Sequence, residues 1–237
     1  MRTAQLQSLP GSRQWTDGSL RPGCEWSSRF QHDWQNYASD LAKVWVKRQN
    51  GPGVRSVVYV QGCNLGCTGC WNPATHAFVG PPRGVQDVAE QVALAHRTHF
   101  IEGVTFSGGE PMQQALDLLG LIRLLKRARP ELSIGMYSGY TEHELNSGRF
   151  WTRYGIAQEA RRCIWEDIKQ LVDFAVLGRF VASRPSGLPM RTSANQALRL
   201  FSGRYREEHF KHLEFEVHIE AQGLVQITGF PLTGLPV

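Results

Sequence analysis

The sequence predicts an α/β fold in which parallel strands alternate with helices, and three segments support this prediction. Residues 85–99 carry Val88 and Val92 on one face, which is the spacing of an amphipathic helix. Short apolar strands at 104–106 and 132–137 stand on either side of a second helical segment. Strand, helix and strand in succession are typical of parallel βαβ units. We therefore expect one sheet with its chemistry at the carboxyl ends of the strands.

The other elements follow from local patterns along the rest of the chain. The remaining predicted elements are strands at 41–49, 54–61, 173–177, 214–220 and 224–228, a helix at 112–128, a partly polar helical insertion at 146–172 and a loop at 180–197. Residues 1–38 are rich in Gln, Ser, Gly and Arg, and their tryptophans have no period. This composition predicts a loosely ordered extension, followed by one domain over residues 39–237.

Composition and charge are those of an ordinary soluble protein. The 237 residues are 41% hydrophobic and 20% charged, which is enough for one domain with a full core. No apolar run is long enough to span a bilayer, and residues 1–10 lack a secretory signal, so a cytoplasmic location is expected. The net charge of +5 is mild, and no polybasic tail is present. We expect neither a membrane nor a nucleic acid as a partner.

Three of the five cysteines fall within one short segment, residues 61–72. The C-x3-C-x2-C spacing of Cys63, Cys67 and Cys70 suits three thiolates around one face of an iron–sulfur cluster. Gly62, Gly66 and Gly69 are expected to let the backbone curl. Because a cubane has four irons, three cysteines leave one iron open for a further ligand. A zinc site made by the same cysteines with His76 is an alternative that the spacing alone leaves open.

A second motif, Ser107-Gly108-Gly109-Glu110-Pro111, follows the predicted strand at 104–106. Glycines allow a close approach of the backbone to a ligand, and a carboxylate suits an ammonium group. A Gly-rich turn with a capping glutamate is the alternative interpretation. A zinc module has no need of such a segment, so the two motifs in this order favour the iron–sulfur interpretation.

Together these motifs resemble those of the radical S-adenosylmethionine (SAM) superfamily, in which a C-x3-C-x2-C loop follows the first barrel strand and a Gly-Gly-Glu-Pro segment ends the second. The resemblance implies a partial (β/α) barrel of about six strands, open on one side. It also implies that Cys63, Cys67 and Cys70 hold a [4Fe–4S] cluster whose open iron binds SAM. One electron would then cleave SAM to a 5′-deoxyadenosyl radical. A non-enzymatic iron–sulfur or zinc protein is the less favoured alternative.

Further segments resemble the glycyl-radical-enzyme activases, and among them the family of anaerobic ribonucleotide reductase activating proteins. An aromatic residue follows the third cysteine in Cys70-Trp71-Asn72-Pro73-Ala74-Thr75. Weaker matches follow in the family's order at 137–141, 173–180, 193–196 and 226–231. The resemblance implies a glycyl radical enzyme as protein partner and a flavodoxin or ferredoxin as electron donor. A radical SAM enzyme that modifies a peptide, nucleotide or small molecule is the alternative.

The resemblance also assigns candidate contacts to SAM. Gly108, Gly109 and Glu110 would meet its methionine end, and the remaining candidates for its surroundings are Ser138, Tyr140, Asn72 and Trp71. Tyr140 suits the core equally well. No further catalytic residue is assigned.

For three other side chains the sequence leaves alternative roles open. Asn195 and Gln196 would lie near SAM or the partner, or would cap a helix. Arg55, just before the cysteine loop, is expected to form a surface ion pair, with stabilisation of the cluster or of a carboxylate as the alternative.

Overall fold

The computed structural model describes residues 38–39, 41–79 and 83–211, together with two strands at 215–219 and 225–229. Within these residues the strands are β1 (Ala38–Ser39), β2 (Leu41–Lys47), β3 (Arg55–Val60), β4 (Arg83–Gly84), β5 (Gly103–Gly108), β6 (Ser133–Ser138), β7 (Phe174–Leu177), β8 (Ala197–Leu200), β9 (Phe215–Ile219) and β10 (Val225–Gly229). The helices there are α1 (Val85–His99), α2 (Ala115–Ala128), α3 (Glu142–Asn146) and α4 (Gln158–Leu171). The predicted extension over residues 1–38 lies outside the described residues, except for Ala38.

Six of these strands form one mixed sheet in the order β2-β3-β5-β6-β7-β8. The four central strands are parallel, with Arg55 opposite Gly103, Gly103 opposite Ser133, and Gly135 opposite Phe174. The outer strands β2 and β8 are antiparallel to their neighbours and form two open edges. The predicted α/β sheet of about six strands is confirmed, with parallel pairing confined to its centre. β1 with β4 and β9 with β10 form separate antiparallel pairs.

Two of the crossover helices were predicted from the sequence, the first of them from its apolar spacing. Helix α1 has the predicted bounds and buries Val85, Val88 and Val92. The predicted helix at 112–128 begins instead as a 3-10 turn, Pro111–Gln114, because the Glu110 side chain accepts a hydrogen bond from the Met112 N–H and caps the turn. Helix α4 connects β6 to β7, and the prediction that residues 146–172 are an insertion stays a prediction.

The hydrophobic core lies between these helices and the central strands. Helix α2 packs between α1 and α4. The fully buried side chains that face each other in this layer include Val58, Val104, Phe106, Ile134, Met136, Leu118, Leu119, Ile122, Ile164, Trp165 and Ile168. Each such side chain contributes about 1.5–3 kcal/mol through burial. The core therefore fixes how the parallel strands align at their carboxyl ends.

Arg55, the first residue of β3, is fully buried, so the expected surface ion pair is wrong. Its Nε donates to Thr105 Oγ1 at 2.7 Å, and its terminal nitrogens donate to Ser133 Oγ at 2.7 Å and to Ser133 O at 3.1 Å. The guanidinium also lies 5.0 Å from the ring centroid of Phe174. Arg55 thus holds together the amino-terminal ends of the central strands, at the opposite end from the cysteine loop.

The carboxyl ends of three adjacent parallel strands carry the predicted motifs. The cysteine loop follows β3, the Gly-Gly-Glu segment ends β5, and Ser138-Gly139-Tyr140 ends β6. Because parallel strands end at the same edge of a sheet, these segments are neighbours, as predicted. In the part of the chain that the structure describes, no helix is long and apolar enough to cross a membrane.

Candidate functional site

The cysteine loop folds back on itself through glycines in the left-handed region. Gly62, Gly66 and Gly69 have φ angles of +106°, +64° and +71°, which residues with a Cβ rarely adopt. The Gly62 N–H donates to Thr75 O at 2.8 Å, so the end of the loop returns to its beginning. The prediction that these glycines let the backbone curl is confirmed.

The three predicted ligands are free thiols on this loop, and each is partly buried. Burial, and to a smaller extent the charges of Glu110, Cys67 and Cys70, raises the pKa of the Cys63 thiol to about 11, although a backbone hydrogen bond opposes the shift. Negative charge on its neighbours therefore disfavours the thiolate form of Cys63. An iron centre that supplies positive charge fits this donor set.

The structure does not gather these thiols as ligands of one ion. Among the described residues, no group of three or more His, Cys, Asp or Glu side chains is arranged to hold a metal ion. His76, the fourth ligand of the alternative zinc site, is half-buried, and its carbonyl oxygen accepts a hydrogen bond from the Cys63 N–H at 2.9 Å.

The Gly-Gly-Glu segment packs directly on the beginning of the cysteine loop. The Gly109 N–H donates to Val60 O at 2.8 Å, and the Glu110 N–H donates to Gly62 O at 2.9 Å. A Cβ at Gly108 would lie 2.7 Å from Val60 O, and one at Gly109 would lie 2.4 Å from Gly62 O. The protein's own backbone therefore requires both glycines, in addition to the approach of a ligand that the motif predicts.

The Glu110 carboxylate is buried and links the ends of β5 and β6. It accepts hydrogen bonds from Ser138 Oγ at 2.8 Å, from the Gly139 N–H at 2.6 Å and from the Met112 N–H at 2.9 Å. Burial raises its pKa to about 7, while these hydrogen bonds oppose the shift. Ser138 and Glu110 are thus brought together as predicted neighbours, and both of the carboxylate's oxygens already have protein donors.

Tyr140 lies in the core, and its hydroxyl belongs to a polar network. The ring is only 4% exposed, and its hydroxyl accepts hydrogen bonds from Gln113 Nε2 at 3.0 Å and from the Trp151 N–H at 3.1 Å. The Arg179 guanidinium lies 5.3 Å from the ring centroid. Burial in the core and a place in the predicted site are therefore compatible for Tyr140.

Arg179 is a cation at this end of the sheet that no sequence motif predicted as a site residue. Its Nη1 donates to Glu144 Oε2 at 2.8 Å and to Gly139 O at 3.2 Å. Burial disfavours the charged form of Glu144, but hydrogen bonds from Arg179 and Thr141 outweigh it and lower the Glu144 pKa to about 2. Both partners of this pair are therefore charged at neutral pH.

Two aromatic pairs include residues of the cysteine loop or residues that contact it. Trp71 is 42% exposed and meets Phe180 edge to face at 6.3 Å between ring centroids. Phe78 and Trp151 form a second edge-to-face pair at 5.5 Å. Neighbouring Asn72 accepts hydrogen bonds at its carbonyl oxygen from the Thr75 N–H and hydroxyl and so shapes the end of the loop.

Asn195 and Gln196 hold the end of β7, so the helix-capping role is wrong. Asn195 Nδ2 donates to Arg179 O at 2.8 Å, and Gln196 Nε2 donates to Gly178 O at 3.1 Å. The next element is strand β8, which these side chains help to position.

Three glutamines around the cysteine loop have contacts that no motif predicted. Gln61 Nε2 donates to Ala77 O at 2.6 Å, and Gln114 Nε2 donates to Gln61 O at 2.6 Å. Gln113 is fully buried beside Asn64. The sequence contained a signal for these contacts, because Gln113 and Gln114 stand at the beginning of the helix predicted at 112–128, where a core helix would normally bury apolar residues.

Comparison with known proteins agrees with this geometry. Residues 49–199, more than half of the chain, match the family described as a 4Fe–4S single cluster domain. The anaerobic ribonucleoside-triphosphate reductase-activating protein of Vibrio cholerae serotype O1 is 30% identical over 159 residues, which cover 65% of this chain and 92% of that protein. The protein of the same name from Enterobacteria phage T4 is 28% identical, over 63% of this chain and 85% of the relative.

A second group of activating enzymes matches over a shorter region. The pyruvate formate-lyase-activating enzyme of Clostridium pasteurianum is 38% identical over 80 residues, 32% of this chain and 34% of that enzyme. The chain therefore belongs to the 4Fe–4S single cluster domain family and is a radical SAM enzyme of the activase group.

Proposed function

We propose that Cys63, Cys67 and Cys70 bind three irons of a [4Fe–4S] cluster and leave the fourth iron open to SAM. The proposal rests on three free, partly buried thiols that share one loop in a chain of the 4Fe–4S single cluster family. When bound, the cluster supplies the electron that cleaves SAM into methionine and a 5′-deoxyadenosyl radical. The six-stranded sheet would be the partial (β/α) barrel of this enzyme class, with β2 and β8 at its open side.

The chain's own residues would hold SAM at the carboxyl ends of the strands. Gly108, Gly109 and Glu110 would lie against its methionine end. Because three protein groups already donate to the Glu110 carboxylate, we infer that Glu110 orients this segment and that main-chain oxygens meet the ammonium group. The residues proposed to border the rest of SAM and the cluster are Ser138, Tyr140, Trp71 and Asn72.

The proposed reaction removes a hydrogen atom from a glycine Cα of a partner protein. The Cα–H bond breaks, its hydrogen atom joins the 5′ carbon to give 5′-deoxyadenosine, and the unpaired electron stays on the glycine. A flavodoxin or ferredoxin would deliver the electron that SAM cleavage consumes. The names of the relatives support a glycyl radical enzyme, such as anaerobic ribonucleotide reductase, as the partner.

Exposed aromatic side chains favour a protein over a small molecule as the substrate. Trp71 and Trp151 are 42% and 44% exposed; Trp71 follows Cys70 directly, and Trp151 pairs with Phe78, which lies against Gly62 at the beginning of the loop. Aromatic residues are enriched in protein–protein interfaces, where their large apolar surfaces become buried. A partner loop that reaches the cysteines would meet Trp71, the residue that follows Cys70.

The test of this function is anaerobic cleavage of SAM. We expect the wild-type chain, reconstituted with iron and sulfide and reduced with dithionite, to form 5′-deoxyadenosine and, with its partner present, a glycyl radical visible by electron paramagnetic resonance. Cys67→Ala should lose both products because an iron ligand is removed. The matched control is Thr68→Ser, which changes an exposed neighbour in the same loop and should retain both.

Two results would change the proposal. A reconstituted wild type that holds a cluster but forms no 5′-deoxyadenosine contradicts it. Formation of 5′-deoxyadenosine with a peptide, nucleotide or small molecule, but no glycyl radical on any partner, favours the alternative radical SAM activity.

A further inference from the structure

Gln113 is a fully buried side chain directly behind the cysteine loop, in the 3-10 turn that follows the Gly-Gly-Glu segment. Its Oε1 accepts a hydrogen bond from the Asn64 N–H at 3.1 Å, and its Nε2 donates to Asn64 Oδ1 at 2.5 Å. Because a backbone N–H can only donate, this first bond determines which way the Gln113 amide faces. One side chain therefore holds both the backbone and the side chain of Asn64.

Asn64 is the residue next to Cys63, so this contact acts on the first predicted ligand. On the other side of the same thiol, the Cys63 N–H donates to His76 O at 2.9 Å and the Glu110 N–H donates to Gly62 O at 2.9 Å. The backbone is thus fixed before and after Cys63, and Gln113 supplies the contact that follows it.

The same amide also connects the cysteine loop to the segment after β6. Gln113 Nε2 donates to Tyr140 OH at 3.0 Å, and the main-chain carbonyl oxygen of Gln113 accepts from the Arg153 N–H at 3.0 Å. An apolar side chain of this size would fill the same space without the cost of burying an amide. The observed partners therefore indicate a role beyond packing.

We propose that Gln113 is a positioning residue for the cluster, because it holds Asn64 and thereby sets the direction of the Cys63 thiolate. The inference rests on the proposed function, in which Cys63 is an iron ligand. Partners of metal ligands orient those ligands and tune the metal, and their loss typically costs about 10–100-fold in metal affinity or activity.

Iron retention in the reconstituted protein tests this role. We expect Gln113→Met to lose iron to a chelator about tenfold faster than wild type and to shift the reduction potential of the cluster. The matched control is Gln49→Met, which removes another buried amide from the turn between β2 and β3, away from the cysteines. If both variants lose iron at the same rate and keep the wild-type potential, Gln113 has only a structural role.

A double variant separates coupling from general destabilisation. Asn64→Leu removes the acceptor Oδ1 but leaves the Asn64 N–H in place. If the two residues act as one unit, Gln113→Met with Asn64→Leu should lose iron no faster than Gln113→Met alone. If the double variant instead loses iron at a rate that is the product of the two single-variant effects, the residues act independently. That result would overturn the proposal.

Two further outcomes remain decisive. If Gln113→Met fails to fold, Gln113→Glu keeps the acceptor for the Asn64 N–H but loses the amide donor. It should also release iron faster than wild type, and a wild-type rate contradicts the inference. A wild-type chain that takes up no cluster overturns the proposed function together with this inference.

Discussion

Two buried ionisable side chains stand at opposite ends of the central strands. Arg55 lies at the amino-terminal ends and donates to the side chains or carbonyl oxygens of residues on β3, β5 and β6 or just before them. Glu110 lies at the carboxyl ends and accepts three hydrogen bonds. Burial of such groups is tolerated only when hydrogen bonds replace water. Each side chain therefore fixes the mutual position of several strands.

Substitution of Arg55 tests how much its buried guanidinium contributes to the stability of the sheet. We expect Arg55→Met to lower the free energy of unfolding by about 3–5 kcal/mol, because the hydroxyl and carbonyl groups around it lose their buried donor. Urea denaturation of the chain without iron measures this change. Arg97→Met, at an exposed position of α1, is the control and should change stability by less than about 0.5 kcal/mol. A similar small loss for Arg55→Met would contradict the structural role.

The sequence revealed the residues of the motifs but not the side chains that support them. Cys63 and Glu110 were recognisable because each belongs to a short pattern with a chemical purpose. Arg55 and Gln113 have no such pattern, since their partners are 50 and 78 residues away for Arg55 and 49 residues away for Gln113. Burial of a polar residue depends on contacts that only the folded chain brings together.

At the scale of elements, the junction between the ends of β3 and β5 decides how the cysteine loop begins. The two strands are in register from Arg55 opposite Gly103 to Val60 opposite Gly108. Beyond that point the hydrogen bonds of Gly109 and Glu110 continue the contact onto Val60 and Gly62. The loop is therefore anchored by backbone contacts that leave no room for a Cβ.

Gly109→Ala tests this junction. Its added Cβ would lie 2.4 Å from Gly62 O, and relieving such a contact costs about 1–3 kcal/mol. We expect lower stability in urea even without iron and SAM, and less iron bound after reconstitution. Gly187→Ala is the control, because nothing lies within 4 Å of its added Cβ. Unchanged stability of the iron-free Gly109→Ala chain would favour the ligand-approach explanation of this glycine.

The sequence predicted an element correctly where its apolar residues repeat with a regular spacing over enough residues to be recognised. Helix α1 has 15 residues and an apolar face, and its predicted bounds are confirmed. Strand β8 has only the four residues Ala-Leu-Arg-Leu after a polar loop, and it was not predicted. Its position depends on pairing with β7 and on the side chains of Asn195 and Gln196, which are interactions outside the strand itself.

At the scale of the whole molecule, exposed aromatic residues lie at both ends of the sheet. Trp71 lies in the cysteine loop, and Trp151 contacts Phe78 and donates its N–H to Tyr140 at the carboxyl ends of the strands. Phe100 is 85% exposed and lies between α1 and the beginning of β5, at the amino-terminal end of the sheet. The two ends therefore offer matched positions for a test of partner binding.

We expect Trp151→Ser to weaken binding of the protein partner without changing SAM cleavage in its absence. Loss of an exposed aromatic contact should raise the half-saturating partner concentration about tenfold in an assay of glycyl radical formation. The Trp151 N–H that donates to Tyr140 is retained in this variant. Phe100→Ser should change neither quantity. Equal effects of the two substitutions would exclude the tryptophan as part of the docking surface.

The buried network around Arg55 also has a consequence for protein engineering. Its members lie at the beginnings of the central strands, whereas the cysteines follow the end of β3. The residues that stabilise the sheet and the cysteines proposed to bind the cluster thus lie at opposite ends of the same strands. Stabilising substitutions can therefore be placed at the amino-terminal ends of the central strands. Substitutions there leave the surroundings of the thiols unchanged.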